Sequence, residues 1–371
     1  MPDRTLAPSA PAPDTPTPGT PAPVVPAPPV RRLRVTHRTV QTADAVTLTL
    51  APADPDAAPL TWRPGQFLTL RTPGGARCYS LATSPHTGEA PAVTVKRVPG
   101  GAGSGWLHDT VAVGDHLDAL PPAGTFTPSD LHTDLLLVAG GSGITPVLSI
   151  AASVLAAGTA RVTVLYFNRA ADTVIHHAEL LALSTAHPDR CTVVHWLEDL
   201  QGLPEPARLA PLCAPYAGRP AYLCGPAPLM DAAEQALRAV GTPGRAVHRE
   251  RYFSLSEDVF TPRPPADTDP ADSAVDGAAE PPAVAEITLD GAHHTVPWPR
   301  ATPLLDALLA AGVDAPHSCR EGACGACCLR VLDGDTELIR NEVLDADDLA
   351  EGYTLACQAL PRTDRVRLDL G

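Results

Sequence analysis

Four cysteines near the carboxyl terminus have the residue type and the spacing to hold a metal cluster. Three follow a C-x4-C-x2-C pattern and the fourth comes 30 residues later: Cys319, Cys324, Cys327 and Cys357. Four soft thiolate ligands with this spacing hold the two irons of a [2Fe-2S] cluster. Gly322 and Gly325 let the loop bend closely enough for backbone amides to point at the sulfurs. The pattern therefore predicts a [2Fe-2S] cluster with these four ligands.

A structural zinc site is the alternative for the same cysteines. Structural zinc sites usually pair two C-x2-4-C knuckles, whereas here a triplet is joined by one remote cysteine, so the spacing favours iron and sulfur. Cys328 directly follows a ligand and must point elsewhere. We expect it to be a small packed side chain, like Cys191 and Cys213.

A second group of residues has the chemistry of a flavin site. In the run R-C-Y-S, Arg77 can pair with a flavin phosphate, and Tyr79 can stack on the isoalloxazine ring. The hydroxyl of Ser80 can hydrogen-bond near N5, where a hydride is received. The run G-A-G-S-G-W-L contains Gly103 and Ser104 and opens a predicted helix, whose free amides suit the flavin pyrophosphate. Cys78, inside the first run, is expected to be only a neighbour of the site.

A glycine-rich turn has the chemistry of a dinucleotide site. The segment V-A-G-G-S-G-I-T-P follows a predicted strand and opens a predicted helix, so its backbone amides can receive a pyrophosphate. Gly141, Gly143 and Thr145 are its candidate ligands. The segment departs from G-x-G-x-x-G because Pro146 replaces the third glycine.

The order of these motifs resembles that of the ferredoxin-NADP reductase superfamily. The resemblance covers residues 63–256 and includes P-G-Q-F, R-x-Y-S, G-x-x-S-x-x-L, G-x-G-x-T-P, C-G-P and E-x-aromatic. It implies that the Cys224 thiol lies beside the nicotinamide carbon that gives up the hydride. It also implies that Glu250 lies near the hydride-transfer centre and that Tyr252 shields the second face of the flavin. The candidate catalytic residues are Ser80, Cys224 and Glu250, and the cofactor-binding candidates also include Lys96, Gly225 and Pro226.

Three further segments resemble a narrower family, the reductase components of 3-ketosteroid 9α-hydroxylases. They are H-W-L-E, Q-G-L-P and N-E-V-L-D-A-D-D-L, at 195–198, 201–204 and 341–349. Phenylacetyl-CoA epoxidase reductases are similar in domain order. The resemblance implies FAD as the flavin and a separate oxygenase as the electron acceptor. Because the oxygenase chooses the substrate, the resemblance is less specific for the substrate pathway.

The sequence leaves the choice of reductant open. NAD-selective dehydrogenases often carry an acidic residue about 20 residues past the glycines. This chain has Asn168 and Arg169 there, and Arg169 could bind the 2′-phosphate of NADPH. The steroid-hydroxylase resemblance favours NADH. We predict NADH, with NADPH as the alternative.

Hydrophobic patterning distributes these motifs over three domains. Short β-rich runs separated by Pro and Gly predict an antiparallel β-barrel that binds FAD over 31–131. Alternating strands and helices predict an α/β domain with a parallel sheet that binds NAD(P) over 132–257. Residues 284–371 resemble plant-type ferredoxins, which implies an α+β domain of the β-grasp type. A Pro- and Ala-rich tail over 1–30 is predicted to be disordered, and 258–283 is predicted to be a flexible linker.

Composition excludes several other classes of protein. The formal net charge of −15 argues against binding to nucleic acid or to an anionic membrane surface. Nine cysteines, an odd number in a long chain without an apolar targeting segment, favour a reducing cytoplasm over secretion. A non-enzymatic electron carrier with a decayed flavin site is the alternative of a different class, and the intact R-x-Y-S and C-G-P motifs speak against it.

Overall fold

The structure is a computed structural model that describes residues 30–252, 255, 259–260, 281–289, 291–344 and 346–370. The predicted disordered tail lies outside the described residues up to residue 29, as do residues 261–280 of the predicted linker. Three sheets of five or six strands, each with an apolar core, organise the described part of the chain. Among its helices, none has both the length and the apolar character needed to cross a membrane.

The first domain is an antiparallel barrel. Its strands are β1 (Arg31–Thr42), β2 (Ala45–Pro52), β3 (Phe67–Thr72), β4 (Gly75–Ser80), β5 (Ala92–Lys96) and β6 (His116–Ala119). They are ordered β4-β3-β6-β1-β2-β5, and a bridge between Leu81 and Val93 brings the two edges together. Buried leucines and valines fill the interior, and helix α1 (Ala102–Asp109) packs on it through Leu107. The predicted antiparallel flavin-domain fold is confirmed.

The second domain is a five-stranded parallel sheet between helices, as predicted. Its strands are β7 (Leu135–Gly140), β8 (Val162–Asn168), β9 (Cys191–Leu197), β10 (Ala221–Cys224) and β11 (Val247–Glu250). They are ordered β11-β10-β7-β8-β9, and every residue of β7 and β8 is buried because helices cover both faces. The helices are α2 (Ile144–Ala157), α3 (His177–Ala186), α4 (Glu198–Gln201), α5 (Pro206–Cys213) and α6 (Ala227–Ala239).

The third domain has the predicted α+β arrangement. Its elements are β12 (Ala283–Leu289), β13 (Ala292–Trp298), α7 (Leu304–Ala310), β14 (Cys328–Asp333), β15 (Thr336–Leu338), α8 (Ala346–Ala350), β16 (Tyr353–Leu355), β17 (Ala359–Pro361) and β18 (Arg365–Leu370). A mixed sheet is ordered β13-β12-β18-β14-β16, with β12 and β18 parallel. Trp298 and the leucines of α7 form its core. The small pair of β15 and β17 lies apart from this sheet.

Buried residues lie at both ends of the predicted linker segment. Val259 and Phe260 are only 5% and 4% exposed and pack between the barrel and the cysteine loop. Ala283 is already the first residue of β12. At these positions apolar side chains in an otherwise polar, Pro-rich segment pack against other parts of the chain.

Candidate functional site

A crevice in the second domain lies at the carboxyl ends of two adjacent strands, β7 and β10, whose following connections leave the parallel sheet in opposite directions. The chain runs from β7 through β8 to β9 and then returns to β10 on the other side of β7, so the carboxyl ends of β7 and β10 flank a crevice. Gly141–Gly143 form a 3-10 turn there and lead into α2. A β-carbon at Gly143 would lie 2.0 Å from the carbonyl oxygen of Cys224. Only glycine therefore allows this turn to run so close to β10.

The remaining residues of the C-G-P motif lie against the same turn. A β-carbon at Gly225 would lie 2.9 Å from the backbone nitrogen of Gly140. Pro226 follows as the residue that begins helix α6. The glycine turn and the C-G-P motif thus form the two walls of one crevice.

The hydroxyl of Tyr252 joins the flavin motif to the nucleotide domain. Ser80 Oγ donates to Tyr252 Oη at 3.3 Å, and Tyr252 Oη and Thr145 Oγ1 share a hydrogen bond of 2.9 Å. Tyr252 Oη also donates to the carbonyl oxygen of Ser142 at 3.3 Å. The residue as a whole remains 43% exposed, so the hydroxyl points inward while the side chain faces the open cleft. Residues predicted separately for flavin and for nicotinamide therefore meet at one point.

Cys224 and Glu250 are direct neighbours in the register of β10 and β11. Burial raises the pKa of Glu250 to about 8, so its carboxyl group is mostly neutral at pH 7. Burial also raises the pKa of the Cys224 thiol, and the charge on Glu250 adds to that rise. Neither group is a charged nucleophile or base at neutral pH, which suits a site that handles a hydride rather than a proton.

Arg77 lies beside the beginning of helix α1. A β-carbon at Gly103 would lie 3.1 Å from Arg77 Cγ and 2.7 Å from Thr72 Oγ1, so the first turn of α1 packs directly on the arginine. The guanidinium donates to the carbonyl oxygens of Ala76 at 2.6 Å and Leu255 at 3.0 Å. No side chain caps the amino end of α1. A cation and uncapped helix amides at one place fit a flavin phosphate.

Three other predicted cofactor residues lie around this cleft. Ser104 Oγ accepts a hydrogen bond from the Val98 amide at 3.1 Å, which fixes the turn before α1. Tyr79 packs against the barrel core, and burial raises the pKa of its phenol. Lys96 Nζ is 3.7 Å from Asp44 Oδ2 and would be 3.6 Å from a β-carbon at Gly141, so it reaches from the barrel to the glycine turn.

Arg169 lies just beyond β8 at the same edge of the sheet as the glycine turn. It is exposed, and its carbonyl oxygen accepts a hydrogen bond from the Asp199 amide at 2.9 Å. Its place beside the carboxyl ends of β7 and β8 suits contact with the adenosine half of a dinucleotide. One edge of the parallel sheet therefore carries four predicted ligand-binding regions: the glycine turn, the C-G-P motif, the E-x-aromatic motif and Arg169.

The four predicted cluster cysteines are all buried, three of them in the loop before β14 and Cys357 in the turn between β16 and β17. The amides of Glu321 and Ala323 donate to Cys319 Sγ at 3.3 and 3.4 Å. The amides of Cys319 and Ala326 each donate to Cys324 Sγ at 3.5 Å. The thiol of Cys319 lies within hydrogen-bonding distance of Cys324 and Cys357, and that of Cys357 also reaches Cys327. Four neighbouring thiols, two of which accept hydrogen bonds from backbone amides, fit a [2Fe-2S] cluster.

The two loop glycines are needed for this wrapping. Gly322 and Gly325 have φ of +70° and +68°, and a β-carbon at Gly322 would lie 2.7 Å from the carbonyl oxygen of Arg340. Arg320 also has a positive φ of 56°. Left-handed residues of this kind tighten the loop around the sulfurs.

A contact between the barrel and the cysteine loop was not predicted from the sequence. Thr69 Oγ1 and Ser318 Oγ share a hydrogen bond of 2.7 Å, although the two residues are 249 positions apart. Leu255, Val259 and Phe260 fill the space beside it. The adjacent valine and phenylalanine within an acidic, Pro-rich segment were the available signal, whereas a single threonine or serine gives none.

Comparison with known proteins agrees with this arrangement. Residues 137–235 match the family described as an oxidoreductase NAD-binding domain, and residues 287–362 match the 2Fe-2S iron-sulfur cluster binding domain. The ferredoxin reductase component of 3-ketosteroid-9-alpha-monooxygenase from Rhodococcus rhodochrous is 47% identical over 342 residues, covering 91% of this chain and 96% of that protein. A component of the 1,2-phenylacetyl-CoA epoxidase from Escherichia coli is 32% identical over 349 residues, covering 89% of this chain and 94% of that protein.

A solved structure is similar over nearly the full length of both chains. Phthalate dioxygenase reductase, described as a modular structure for electron transfer from pyridine nucleotides to [2Fe-2S], has 25% identity and a TM-score of 0.55, covering 92% of this chain and 98% of that one. The predicted fold, family resemblance and cofactors, namely FAD, a nicotinamide dinucleotide and a [2Fe-2S] cluster, are confirmed. The chain belongs to the family of flavin- and NAD-binding ferredoxin reductases with a carboxyl-terminal [2Fe-2S] domain that contains the reductase components of 3-ketosteroid-9-alpha-monooxygenases.

Proposed function

We propose that this chain is the NADH-dependent reductase of a separate oxygenase of the 3-ketosteroid 9α-hydroxylase type. The similarity to the Rhodococcus reductase carries this proposal, because it extends over almost the full length of both proteins. The oxygenase, not this chain, would bind the steroid. This assignment would give the protein a part in steroid degradation.

The chemistry of the bound groups defines what the residues must do. When bound, FAD accepts the two electrons of a hydride from the nicotinamide, and the [2Fe-2S] cluster carries electrons singly. The flavin phosphate groups would be held by Arg77 of β4 together with Gly103 and Ser104 in the first turn of α1. Tyr79 would stack on the flavin ring, and Ser80 would hydrogen-bond at its edge. Lys96 would add a positive charge between the barrel and the glycine turn.

The nucleotide domain would position the nicotinamide. Gly141, Gly143 and Thr145 would receive the pyrophosphate at the amino end of α2. The crevice wall formed by Cys224, Gly225 and Pro226 would hold the nicotinamide ring, with Cys224 at its reactive carbon. Tyr252 would leave its hydrogen bonds to Ser80 and Thr145 when the ring enters, because its hydroxyl lies between the two motifs.

The neutral state of Cys224 and Glu250 supports hydride transfer without a proton-transfer base. Because burial raises the pKa of the Cys224 thiol and raises that of the Glu250 carboxyl group to about 8, neither side chain places a full negative charge beside the reacting carbon at pH 7. Hydride moves without a proton, so no ionised side chain is needed at the reacting carbon. In the third domain, the sulfurs of Cys319, Cys324, Cys327 and Cys357 would hold the cluster.

The cellular location proposed for the chain is the cytoplasm. All nine cysteines are unpaired thiols, as expected in a reducing compartment. In an oxidising compartment, disulfide formation among the four ligand cysteines would compete with binding of the cluster.

The test is a reconstituted reaction with purified components. The chain, NADH and a 3-ketosteroid 9α-hydroxylase oxygenase are mixed, and hydroxylated steroid is measured against NADH consumed. Stoichiometric product formation supports the proposal, and the Cys357→Ser variant serves as the matched control that should oxidise NADH without supporting hydroxylation. Absence of product with an oxygenase that is active with its own reductase would refute the assignment.

A second candidate is a reductase of the phenylacetyl-CoA epoxidase type that uses NADPH. Exposed Arg169 beyond β8 favours it, because a guanidinium there could pair with a 2′-phosphate. The same reconstitution with the epoxidase oxygenase, run with each coenzyme in turn, distinguishes the two candidates. A non-enzymatic carrier would show no bleaching of flavin absorption by either coenzyme.

A further inference from the structure

Three side chains connect the flavin motif to the cluster loop. Cys78, the second residue of R-C-Y-S, is paired with Thr69 in the register of β3 and β4, and their Sγ and Oγ1 atoms are 3.5 Å apart. Thr69 Oγ1 shares a hydrogen bond of 2.7 Å with Ser318 Oγ. Ser318 directly precedes Cys319, the first ligand of the predicted cluster. The connection therefore spans from a flavin-binding strand to a cluster ligand.

Both hydroxyl groups of this connection are shielded from water. Thr69 is 0% exposed and Ser318 is 2% exposed. A buried hydroxyl that loses its partner costs more free energy than the net value of the bond, because water cannot replace the partner. If the third domain separated from the barrel, water would replace each partner. The hydrogen bond therefore stabilises the arrangement in which the cluster loop contacts the barrel, which we call the closed arrangement.

An apolar cluster that includes Cys319, the neighbour of Ser318, joins three parts of the chain. We call it the docking cluster: Phe67, Ala76, Leu120, Leu255, Val259, Phe260, Cys319, Ala323 and Cys324. The first three residues belong to the barrel, the next three follow the nucleotide domain, and the last three belong to the cluster loop. The guanidinium of Arg71 lies 4.6 Å from the ring centre of Phe260, which holds the segment against the barrel. The shielded hydroxyl pair is thus a polar contact beside this apolar patch, and its directionality helps to set how the two surfaces register.

We propose that Thr69 and Ser318 are positioning residues that register the cluster loop against the R-C-Y-S strand, and that this registration controls electron delivery from the flavin to the cluster. The proposal rests on the proposed function, because it assumes that NADH reduces the flavin and that the flavin reduces the cluster. In that step one electron leaves the reduced flavin and one iron of the oxidised cluster is reduced. Neither hydroxyl forms or breaks a covalent bond.

The test compares single variants, their double variant and two controls. Thr69→Val and Ser318→Ala each remove one hydroxyl with little change in shape, and Thr69→Ser restores the hydroxyl as the conservative variant. Ser153→Ala is the matched control, because Ser84 and Ser153 share a buried hydrogen bond of 2.8 Å between the barrel and the nucleotide domain. Flavin and cluster absorption of each purified holoprotein shows that the variant folds and is loaded.

The first measurement follows opening of the contact through the reactivity of Cys78. Burial raises the pKa of the Cys78 thiol to about 12, so in the closed protein it reacts only slowly with a maleimide. In Ser318→Ala, which leaves the contact between Thr69 and Cys78 in place, loss of the buried hydrogen bond should raise the labelling rate of Cys78, read by mass spectrometry, about tenfold, which equals ~1.4 kcal/mol. Cys213, buried in the nucleotide domain, should label at an unchanged rate and serves as the internal control.

The second measurement separates the two electron-transfer steps by stopped flow. In Thr69→Val and Ser318→Ala the flavin should be reduced by NADH at the wild-type rate, while reduction of the cluster should slow. Thr69→Ser and Ser153→Ala should behave as the wild type in both steps. The double variant should be no slower than the worse single variant, because the two hydroxyls act as one pair.

Two kinds of failure are distinguishable. Unchanged Cys78 labelling in Ser318→Ala, or unchanged cluster reduction in both single variants, would overturn the positioning role. Failure of NADH to reduce the flavin or the cluster in the wild type would instead overturn the proposed function. Additive effects in the double variant would show that each hydroxyl acts through a different partner and would also overturn the proposal.

Discussion

Replacing Gly143 by alanine tests the crevice between the glycine turn and the C-G-P motif. The added β-carbon would lie 2.0 Å from the carbonyl oxygen and 2.4 Å from the carbonyl carbon of Cys224. Nonbonded carbon and oxygen atoms do not approach closer than about 3 Å, so the turn and β10 must separate by about 1 Å. Overpacking of this kind costs about 1–3 kcal/mol of stability.

The functional effect should exceed the loss of stability. Both groups that separate are expected to contact the nicotinamide dinucleotide, and a displacement of about 1 Å can slow a positioned reaction about 100-fold. We therefore expect flavin reduction by NADH, followed by stopped-flow absorption, to slow by about that factor, with a higher KM for NADH. Flavin content should stay at the wild-type level, because the barrel is not touched.

Gly158→Ala is the matched control for this variant. Its β-carbon would lie 1.8 Å from the carbonyl oxygen of Leu131, an equally severe clash. Gly158 follows the carboxyl end of α2, whereas Gly143 precedes its amino end, so the control disturbs the same helix away from the crevice. If the two variants lose thermal stability alike and also reduce flavin at similar rates, the crevice is not the nicotinamide site.

Three further outcomes are expected. Cys357→Ser should abolish the visible absorption of the cluster while flavin absorption and NADH-driven reduction of a two-electron dye persist; loss of flavin reduction as well would contradict the modular arrangement. Arg77→Ala should weaken FAD retention about tenfold or more, because a charge-assisted contact to phosphate is lost, and a titration of the apoprotein with FAD measures this; an unchanged dissociation constant would exclude the contact. Because the folded-state pKa of Glu250 is raised from 4.5 to about 8, the stability it contributes is fully present below pH 4.5 and is lost as pH rises towards 8, by up to about 1.4 kcal/mol per unit. The melting temperature of Glu250→Gln should therefore rise relative to that of the wild type between pH 4.5 and about 8. Parallel curves of melting temperature against pH would contradict the raised pKa.

Local patterns were sufficient to predict the cluster loop and the fold. The spacing of Cys319, Cys324 and Cys327 reports a property of one short segment, and the buried runs of β7 and β8 report helices on both faces of a sheet. Such signals depend on neighbours in the chain, so a single sequence contains them.

Contacts between domains left no comparable signal. The pairing of Thr69 with Ser318 joins residues 249 positions apart, and neither residue type is unusual in a strand or a loop. Val259 and Phe260 lie in a segment whose composition predicts a flexible linker, and only the surfaces on which they pack make them buried. Lys96 was predicted as a cofactor residue, but its approach to the glycine turn depends on how two domains meet.

The two contacts of the barrel with its neighbouring domains differ in their chemistry. Towards the nucleotide domain, buried His176 has a φ of 58°, and its ring nitrogens bond Thr94 Oγ1 at 2.7 Å and Glu179 Oε1 at 3.1 Å. Gln41 in β1 donates to the same carboxylate at 3.2 Å and accepts from the His176 amide at 3.1 Å. A residue other than glycine is held in this strained conformation only when its surroundings fix it, at a cost of about 1–3 kcal/mol.

Separation at these contacts would therefore have different costs. Opening the barrel from the nucleotide domain would break several hydrogen bonds, each worth about 0.5–1.5 kcal/mol net because water replaces the lost partner. Opening the barrel from the cluster loop would break the Thr69–Ser318 pair and expose the apolar side chains of the docking cluster. The two contacts thus differ in kind: polar groups bond across the boundary with the nucleotide domain, whereas apolar side chains and one hydroxyl pair are prominent at the cluster loop.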